Sequence, residues 1–520
     1  MTTTLVKPET PDAPQTPVAP DSGRRTASVL ALAVFEARQL ALQIPVVFFG
    51  LLYLVYTGYE LAGRDEGMDA YPVLHDADRA TQGGPLLLCI ALLACVNRAA
   101  LLNRRRGVEE QLSVLVMPAP RRTLAHLLSV VPFAAGVALV VGVQFGWSAL
   151  RPGAVGHGSV AELAVAPLTV LLAGAVGVLL ARVLPYPAVP LLFLVGVAIV
   201  VALLGGVTRG AHGVQWLWPT VPENGGTPVP GELLGRPAGW HALYLTGLTV
   251  LAASVAVMVA GGRTRTLQAV AAVAAVALAA TVFGVNGQTP GTSASLQAQR
   301  KAEADHPGKF QTCVERDGSR YCAYPDWTGW TADWAGTVRR VRAEAGGNAA
   351  TTRLTVRQRI EEITDLTTDA TLPTSSARDT VTVGTQWGGN RVPEFAVGVA
   401  RVLVAGSEHD AEWMCDARVV TTMWLALATD PTPADTFRHL RIDDSLAGSA
   451  AVLTPDGGSM GVTAQQTQVV RELFREPHDE IAARVKSHWP ELTSARTTTA
   501  EAARLLGVKA PKGTDDCSED

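Results

Sequence analysis

Over its first half the chain delivers apolar residues, mostly Leu, Val and Ala, in runs of about 20, the length a helix needs to cross a hydrocarbon core. The runs predict about seven spans, near residues 40–59, 84–102, 127–147, 163–181, 188–207, 242–260 and 267–285. Only Gly261-Gly262-Arg263-Thr264-Arg265-Thr266 joins the last two, which makes them a tight helical hairpin. Together they are about twice as long as one crossing requires, so they count as two. After Asn286 the pattern changes: charges of both signs appear at ordinary soluble density. The predicted fold class is an α-helical polytopic bundle followed by a soluble α+β, mostly helical, extracellular domain.

The connections carry a second pattern. Arg24, Arg25 and Arg38 fall in one set, with Arg104, Arg105, Arg106, Arg121 and Arg122, then Arg182, then Arg263 and Arg265. The alternate connections are Arg-poor: residues 64–79 hold Asp65, Glu66, Asp69, Asp76 and Asp78, and residues 208–240 hold Trp216 and Trp218. Basic connections stay in the cytoplasm, so the N-terminus is expected inside and, after seven crossings, the C-terminal domain outside the plasma membrane. Residues 1–23, rich in Thr and Pro, read as a disordered cytoplasmic tail with no signal-peptide core, so the first span would start insertion. The predicted organisation is this tail, an interfacial helix over 24–42, a membrane domain over 43–285 and an outer domain over 286–520.

Within the spans, Gly142-x-x-x-Gly146 and Ala173-Gly174-Ala175-Val176-Gly177 are positions where helix backbones can approach closely. A composition rich in Gly and Ala explains them equally well. Ionisable residues are scarce there. Arg98, near the inner end of the second run, can reach the interface, and no chain of intramembrane Asp, Glu or His suggests a proton relay.

In the outer domain, residues 289–300 are small and polar and suit a linker. Strands are expected over 353–358 and 380–385, and helices over 392–405, 415–428, 465–475, 480–489 and 497–506. Cys89 and Cys95 sit inside an apolar run and read as inert buried thiols. Cys313, Cys322, Cys415 and Cys517 fit two disulfides in an oxidising compartment. Cys313 and Cys322 are the expected pair, clipping a hairpin through Glu-Arg-Asp-Gly-Ser-Arg; four free cytoplasmic thiols are the alternative. No Cys-x-x-Cys spacing points to zinc.

The net charge of −4 gives no reason to expect nucleic acid as a partner. A catalytic set is also missing. His409, Asp410, Glu412, Cys415 and Asp416 lie together, but a helix start with acidic capping accounts for them better than a metal site. Ser459 within Gly457-Gly458-Ser459-Met460-Gly461 reads as a Gly-rich turn leading into a helix, without the strand a nucleophile elbow needs before it. Trp327, Trp330 and Trp334, at helical spacing, read as core. The chain is therefore not expected to be an enzyme, and it lacks a Gly-x-x-x-x-Gly-Lys-Ser/Thr phosphate loop.

Two segments carry the functional expectation. The connection after the second run, from Asn103 to Ala125, spaces Val108, Leu112 and Leu115 helically, with Glu109 and Glu110 on the polar side; Pro118 and Pro120 stop that helix. The segment 24–42 is apolar, punctuated by Arg24, Arg25, Glu36 and Arg38, and reads as an interfacial helix or as an extension of the first span. Together they resemble the membrane subunits of ABC-type exporters of the type-two permease class, in which an elbow helix precedes the first span and a coupling helix with an acidic residue follows the second.

The resemblance covers roughly residues 24–260. Arg106-Gly107-Val108-Glu109-Glu110-Gln111-Leu112 followed by Met117-Pro118-Ala119-Pro120-Arg121-Arg122 carries it, with Met117 where the family usually has Leu. A seventh span and a large outer domain depart from the minimal family pattern. The Cys-x₈-Cys-Ala-Tyr-Pro-Asp-Trp opening at Cys313 resembles the start of an extracytoplasmic domain found after permease regions in actinobacterial membrane proteins.

The resemblance implies a separate cytoplasmic ATPase that binds ATP and receives the coupling helix (Arg106, Val108, Glu109, Glu110, Leu112 and Leu115). It also implies a second permease copy or paralogue in the lipid bilayer. A basic loop anchored by lipid headgroups is the simpler account of the same residues. Two other functions fit the layout: a non-transporting receptor or immunity protein whose outer domain binds a ligand, and an ectoenzyme.

Overall fold

The structure is a computed structural model and describes residues 22–63, 66–105, 117–207, 217–220, 228–233, 238–262, 264–288, 294–360, 373–442 and 448–512. It is mostly helical. Five helices are long and apolar enough to cross a membrane: Ile44–Gly63, Ala119–Ala149, Val160–Val183, Ala238–Val259 and Thr264–Gln288. Two shorter apolar helices, Leu86–Leu102 and Val189–Val200, accompany them.

The helix ends alternate between two ends of the bundle. At one end the helix Ser22–Ala41 packs along Ala119–Leu128, and Gly262 lies against Pro120. At the other end the connections around 66–82, 150–159 and 228–233 meet the C-terminal region. Val73 bridges Val155 in parallel fashion, and Trp330 reaches Gly153. The Arg-poor connections and the C-terminal region thus share one end.

Glycines set the closest helix contacts. A Cβ on Gly284 would stand 2.6 Å from the Tyr244 backbone nitrogen, and one on Gly247 would stand 2.7 Å from that of Thr281. The predicted hairpin of Ala238–Val259 and Thr264–Gln288 is therefore packed backbone to backbone, as small residues permit where hydrophobic burial gives no drive. Of the two Gly-rich stretches, the second is a contact: Gly177 faces the Leu93 carbonyl, and Gly174 faces Val130. Gly142 and Gly146 have nothing within 4 Å.

The C-terminal region holds a four-stranded sheet, β1 (Thr312–Arg316), β2 (Ser319–Ala323), β3 (Thr355–Gln358) and β4 (Thr380–Val383), in that order. β1 and β2 form a hairpin, while β2, β3 and β4 run parallel. Asp317 and Gly318, both at positive φ, turn the hairpin, and Cys313 lies opposite Cys322, to which it is disulfide-bonded. Thr331–Glu344 is the crossover between β2 and β3 that parallel pairing demands. A second, antiparallel sheet contains β5 (Arg441–Ile442), β6 (Ala450–Leu453) and β7 (Ser459–Val462).

The core is built on Trp327, Trp330, Trp334, Trp424 and Phe395, each at most 2% exposed. The tryptophan trio is thus core, as its spacing predicts. Val73, Val155, Val229 and Leu233 belong to the same buried cluster although they come from the connections between apolar helices.

Two local expectations are corrected. The small, polar stretch expected as a linker becomes the helix Ala294–Asp305, because Gln, Arg, Lys and Glu among its alanines are good helix formers. Arg300 within it donates twice to the Leu233 carbonyl, at 3.0 and 2.7 Å. Ser459 opens β7 rather than a helix, and β6 precedes it, so the glycines form a β-hairpin turn with Gly457 at φ 75°.

A candidate functional site at the bundle end

The connection between the first two apolar helices is pinned before it turns polar. The Leu74 N–H donates to the Val155 carbonyl at 2.9 Å, and the Val155 N–H to the Pro72 carbonyl at 3.0 Å. This tie starts the helix Leu74–Ala80, whose inward positions, His75 and Asp78, are buried.

Asp78 is wholly buried and accepts the Ser159 N–H at 2.7 Å. Ser159 precedes the turn Val160–Leu163, which presents Glu162, itself 2% exposed. Gln82 donates its amide to Glu162 at 2.5 Å, and Arg79 lies 3.7 Å from the same carboxylate. Burial pushes the Asp78 carboxyl up to about 7; the Ser159 amide opposes the rise, the neighbouring Glu162 adds to it, and Arg79 opposes it. Two carboxylates, an amide and one guanidinium thus form a compact group that holds a proton near neutrality.

His75 lies one turn away. Its Nε2 is 2.8 Å from the Val229 carbonyl, so Nε2 carries the proton and donates. Nδ1 then faces Asp326 at 3.9 Å, and the ring stands edge-on to Trp327, with centroids 5.3 Å apart. Burial pulls the His75 pKa down, which keeps the ring neutral. Asp326 also accepts from the exposed His157 at 3.1 Å. Two open clefts flank Tyr71 beside this group. One of about 240 Å³ lies toward Asp69 and Asp76, and one of about 330 Å³ toward Asp333 and Arg340. Tyr71 and Trp387 line both.

The residues singled out in the sequence lie elsewhere. Arg24 and Arg25 are in the first turn of the helix Ser22–Ala41, and Arg38 is in its last. Glu36 on that helix is 3.8 Å from His126. A break at residues 42 and 43 separates the helix from Ile44–Gly63. The expected coupling helix, with Arg106, Val108, Glu109, Glu110, Leu112 and Leu115, lies outside the described residues. Cys89 and Cys95 are buried and free. Cys415 is disulfide-bonded, and Cys517 lies outside the described residues.

Contrary to the expected acidic capping, the Asp416 side chain does not cap its own helix. Its carboxylate accepts from the Thr499 N–H at 3.2 Å, at the start of the neighbouring helix Thr499–Leu505. Among the described residues, no three His, Cys, Asp or Glu side chains gather where they could hold a metal.

Sequence reasoning missed the Asp78–Glu162 group. In the sequence the acidic connection serves only as an Arg-poor segment that orients the bundle, and Glu162 is not singled out. The available signal was local: His75, Asp78 and Gln82 recur at spacings of three and four, so they share one helical face. Set against protein-family models, curated proteins and solved structures, the chain matches none of them.

Proposed function

We propose that the chain is the membrane permease subunit of an exporter driven by a separate cytoplasmic ATPase. The bundle crosses the plasma membrane seven times, with the N-terminal tail inside and the C-terminal region outside. In favour of seven, the two shorter apolar helices belong to Leu86–Arg105 and Val189–Val207, of 20 and 19 residues. At 1.5 Å per residue each is roughly 30 Å long.

One observation carries the proposal. The amphipathic helix Ser22–Ala41, set off from the first span by a break, rests on Ala119–Leu128, which closes the connection holding residues 106–116. A push on that connection by a nucleotide-driven partner would reach both the elbow and the span Ala119–Ala149 at once.

The test is replacement of Glu109, Glu110 and Leu112 by Ala. The chain should insert and fold while losing co-purification with, and stimulation of, an ATPase subunit in mild detergent. Unchanged co-purification and ATP hydrolysis would refute the coupling assignment.

A second reading, a ligand-binding receptor anchored by a passive bundle, draws on the core shared by the C-terminal region and three connections between apolar helices. Such a continuous core suits a scaffold as well as a gate. Purification from the native host without any ATPase subunit would favour it.

A further inference from the structure

We infer that the helix Leu74–Ala80 and the turn Val160–Leu163 form a proton-held latch, which joins the C-terminal region to a membrane-length helix and opens in alkali. The inference concerns the fold at this end of the bundle and stands apart from the transport reading.

The latch joins two bodies. At the start of Leu74–Ala80, His75 stands edge-on to Trp327 and bonds to the Val229 carbonyl, which ties the helix to the C-terminal core. One turn later Asp78 takes the Ser159 N–H, and beyond it Arg79 and Gln82 hold Glu162. Ser159 and Glu162 open Val160–Val183, the most deeply buried of the five membrane-length helices. Further along, that helix is fixed by close packing, with Gly174 against Val130 and Gly177 against the Leu93 carbonyl. Its first turn is held instead by these three polar contacts.

One proton decides whether the grip holds. Asp78 is wholly buried; its Oδ2 accepts from Ser159, and its Oδ1 has no donor among the described residues. A neutral acid tolerates that interior. An ionised one leaves charge without a donor, facing the Glu162 carboxylate. Water reaches Oδ1 only when helix and turn part, so ionisation drives opening.

The sign follows from the surroundings. Burial holds the Asp78 carboxyl up at about 7; Glu162 from the turn adds to the rise, and Arg79 from its own helix opposes it. The folded value lies above the unfolded one of about 4, so the latch is intact in acid and lost as pH rises through about 7. His75 works in the opposite sense. Burial lowers its pKa against Asp326, while Arg79 and His157 add to the fall, so its contribution is lost as pH falls.

The experiment follows amide hydrogen exchange, corrected for intrinsic rates, in the full chain in lipid nanodiscs between about pH 6 and 8.5. Relative to Asp78→Asn, which cannot titrate, protection of residues 74–82 and 159–163 should fall about tenfold across that range. Taking the ratio cancels the His75 contribution, and β2 and β3 should keep their protection. In case Asp78→Asn fails to fold, His75→Gln serves as the second probe. It keeps a donor for the Val229 carbonyl and leaves Asp78 titrating, so its own protection should fall by a similar factor. An equal pH response in the parent chain and Asp78→Asn, or no response in His75→Gln, would overturn the latch. An equal fall in β2 and β3 would do the same, because the whole region would then open as one.

Discussion

The indole N–H of Trp330 donates a hydrogen bond to the backbone carbonyl of Gly153 at 2.7 Å, across 177 residues of sequence. One partner belongs to the core of the C-terminal region, the other to a connection between apolar helices. This bond, with the His75–Val229 contact and the Val73–Val155 bridge, makes the junction a folded interior rather than a tether.

Trp330→Phe should keep most of the packing and lose the donor. The part-buried Gly153 carbonyl then loses its partner, at a cost of about 1 kcal/mol. Trp330→Ala should cost about 3–5 kcal/mol. Thermal unfolding in detergent measures both. Limited proteolysis should show the C-terminal region released at lower temperature in either variant.

Asp78 predicts a pH dependence with a definite sign. In the folded chain its carboxyl keeps its proton to about pH 7, whereas an unfolded Asp loses it near 4. Between those values the unfolded state binds fewer protons, so this group's contribution to stability is intact at low pH and falls as pH rises through the window. Asp78→Asn cannot titrate. Its stability relative to the parent chain should therefore grow between pH 4 and 8, by up to about 4 kcal/mol. Unfolding midpoints of the two chains across that range are the measurement. A constant difference would mean that Asp78 is ionised throughout.

Gly284→Leu places side-chain atoms where the Tyr244 backbone already lies. The last two membrane-length helices would have to separate, which should destabilise the bundle by about 1–3 kcal/mol or more. Gly142→Leu, with open space around it, is the matched control and should be near neutral. Unfolding of both variants in the same detergent compares them directly.

How much of this could be read in the sequence depends on the range of the forces involved. Apolar runs and the helices of residues 391–505 are local, periodic features, and the structure places them within a few residues of expectation. The Cys313–Cys322 hairpin is equally local, because Asp317-Gly318 supplies its turn. The helix Ala294–Asp305 escaped because composition alone marked it as a linker, whereas Arg300 ties it to Leu233, 67 residues away. Asp78 and Glu162 are 84 positions apart in sequence, counted from their numbers, and only the folded chain makes them neighbours. The clefts are fully tertiary, since Tyr71 and Trp387 meet across most of the chain.

The central claim is that the Arg-poor connections and the C-terminal region occupy one side of the membrane and the Arg-rich connections the other. Single exposed cysteines placed at His157, Asp317 and Thr264, in a chain with Cys89 and Cys95 changed to Ser, test it through labelling of intact cells by a membrane-impermeant maleimide. The account predicts labelling at His157→Cys and Asp317→Cys without permeabilisation, and at Thr264→Cys only after it. Labelling of Thr264→Cys in intact cells, or protection of either of the other two, would contradict it.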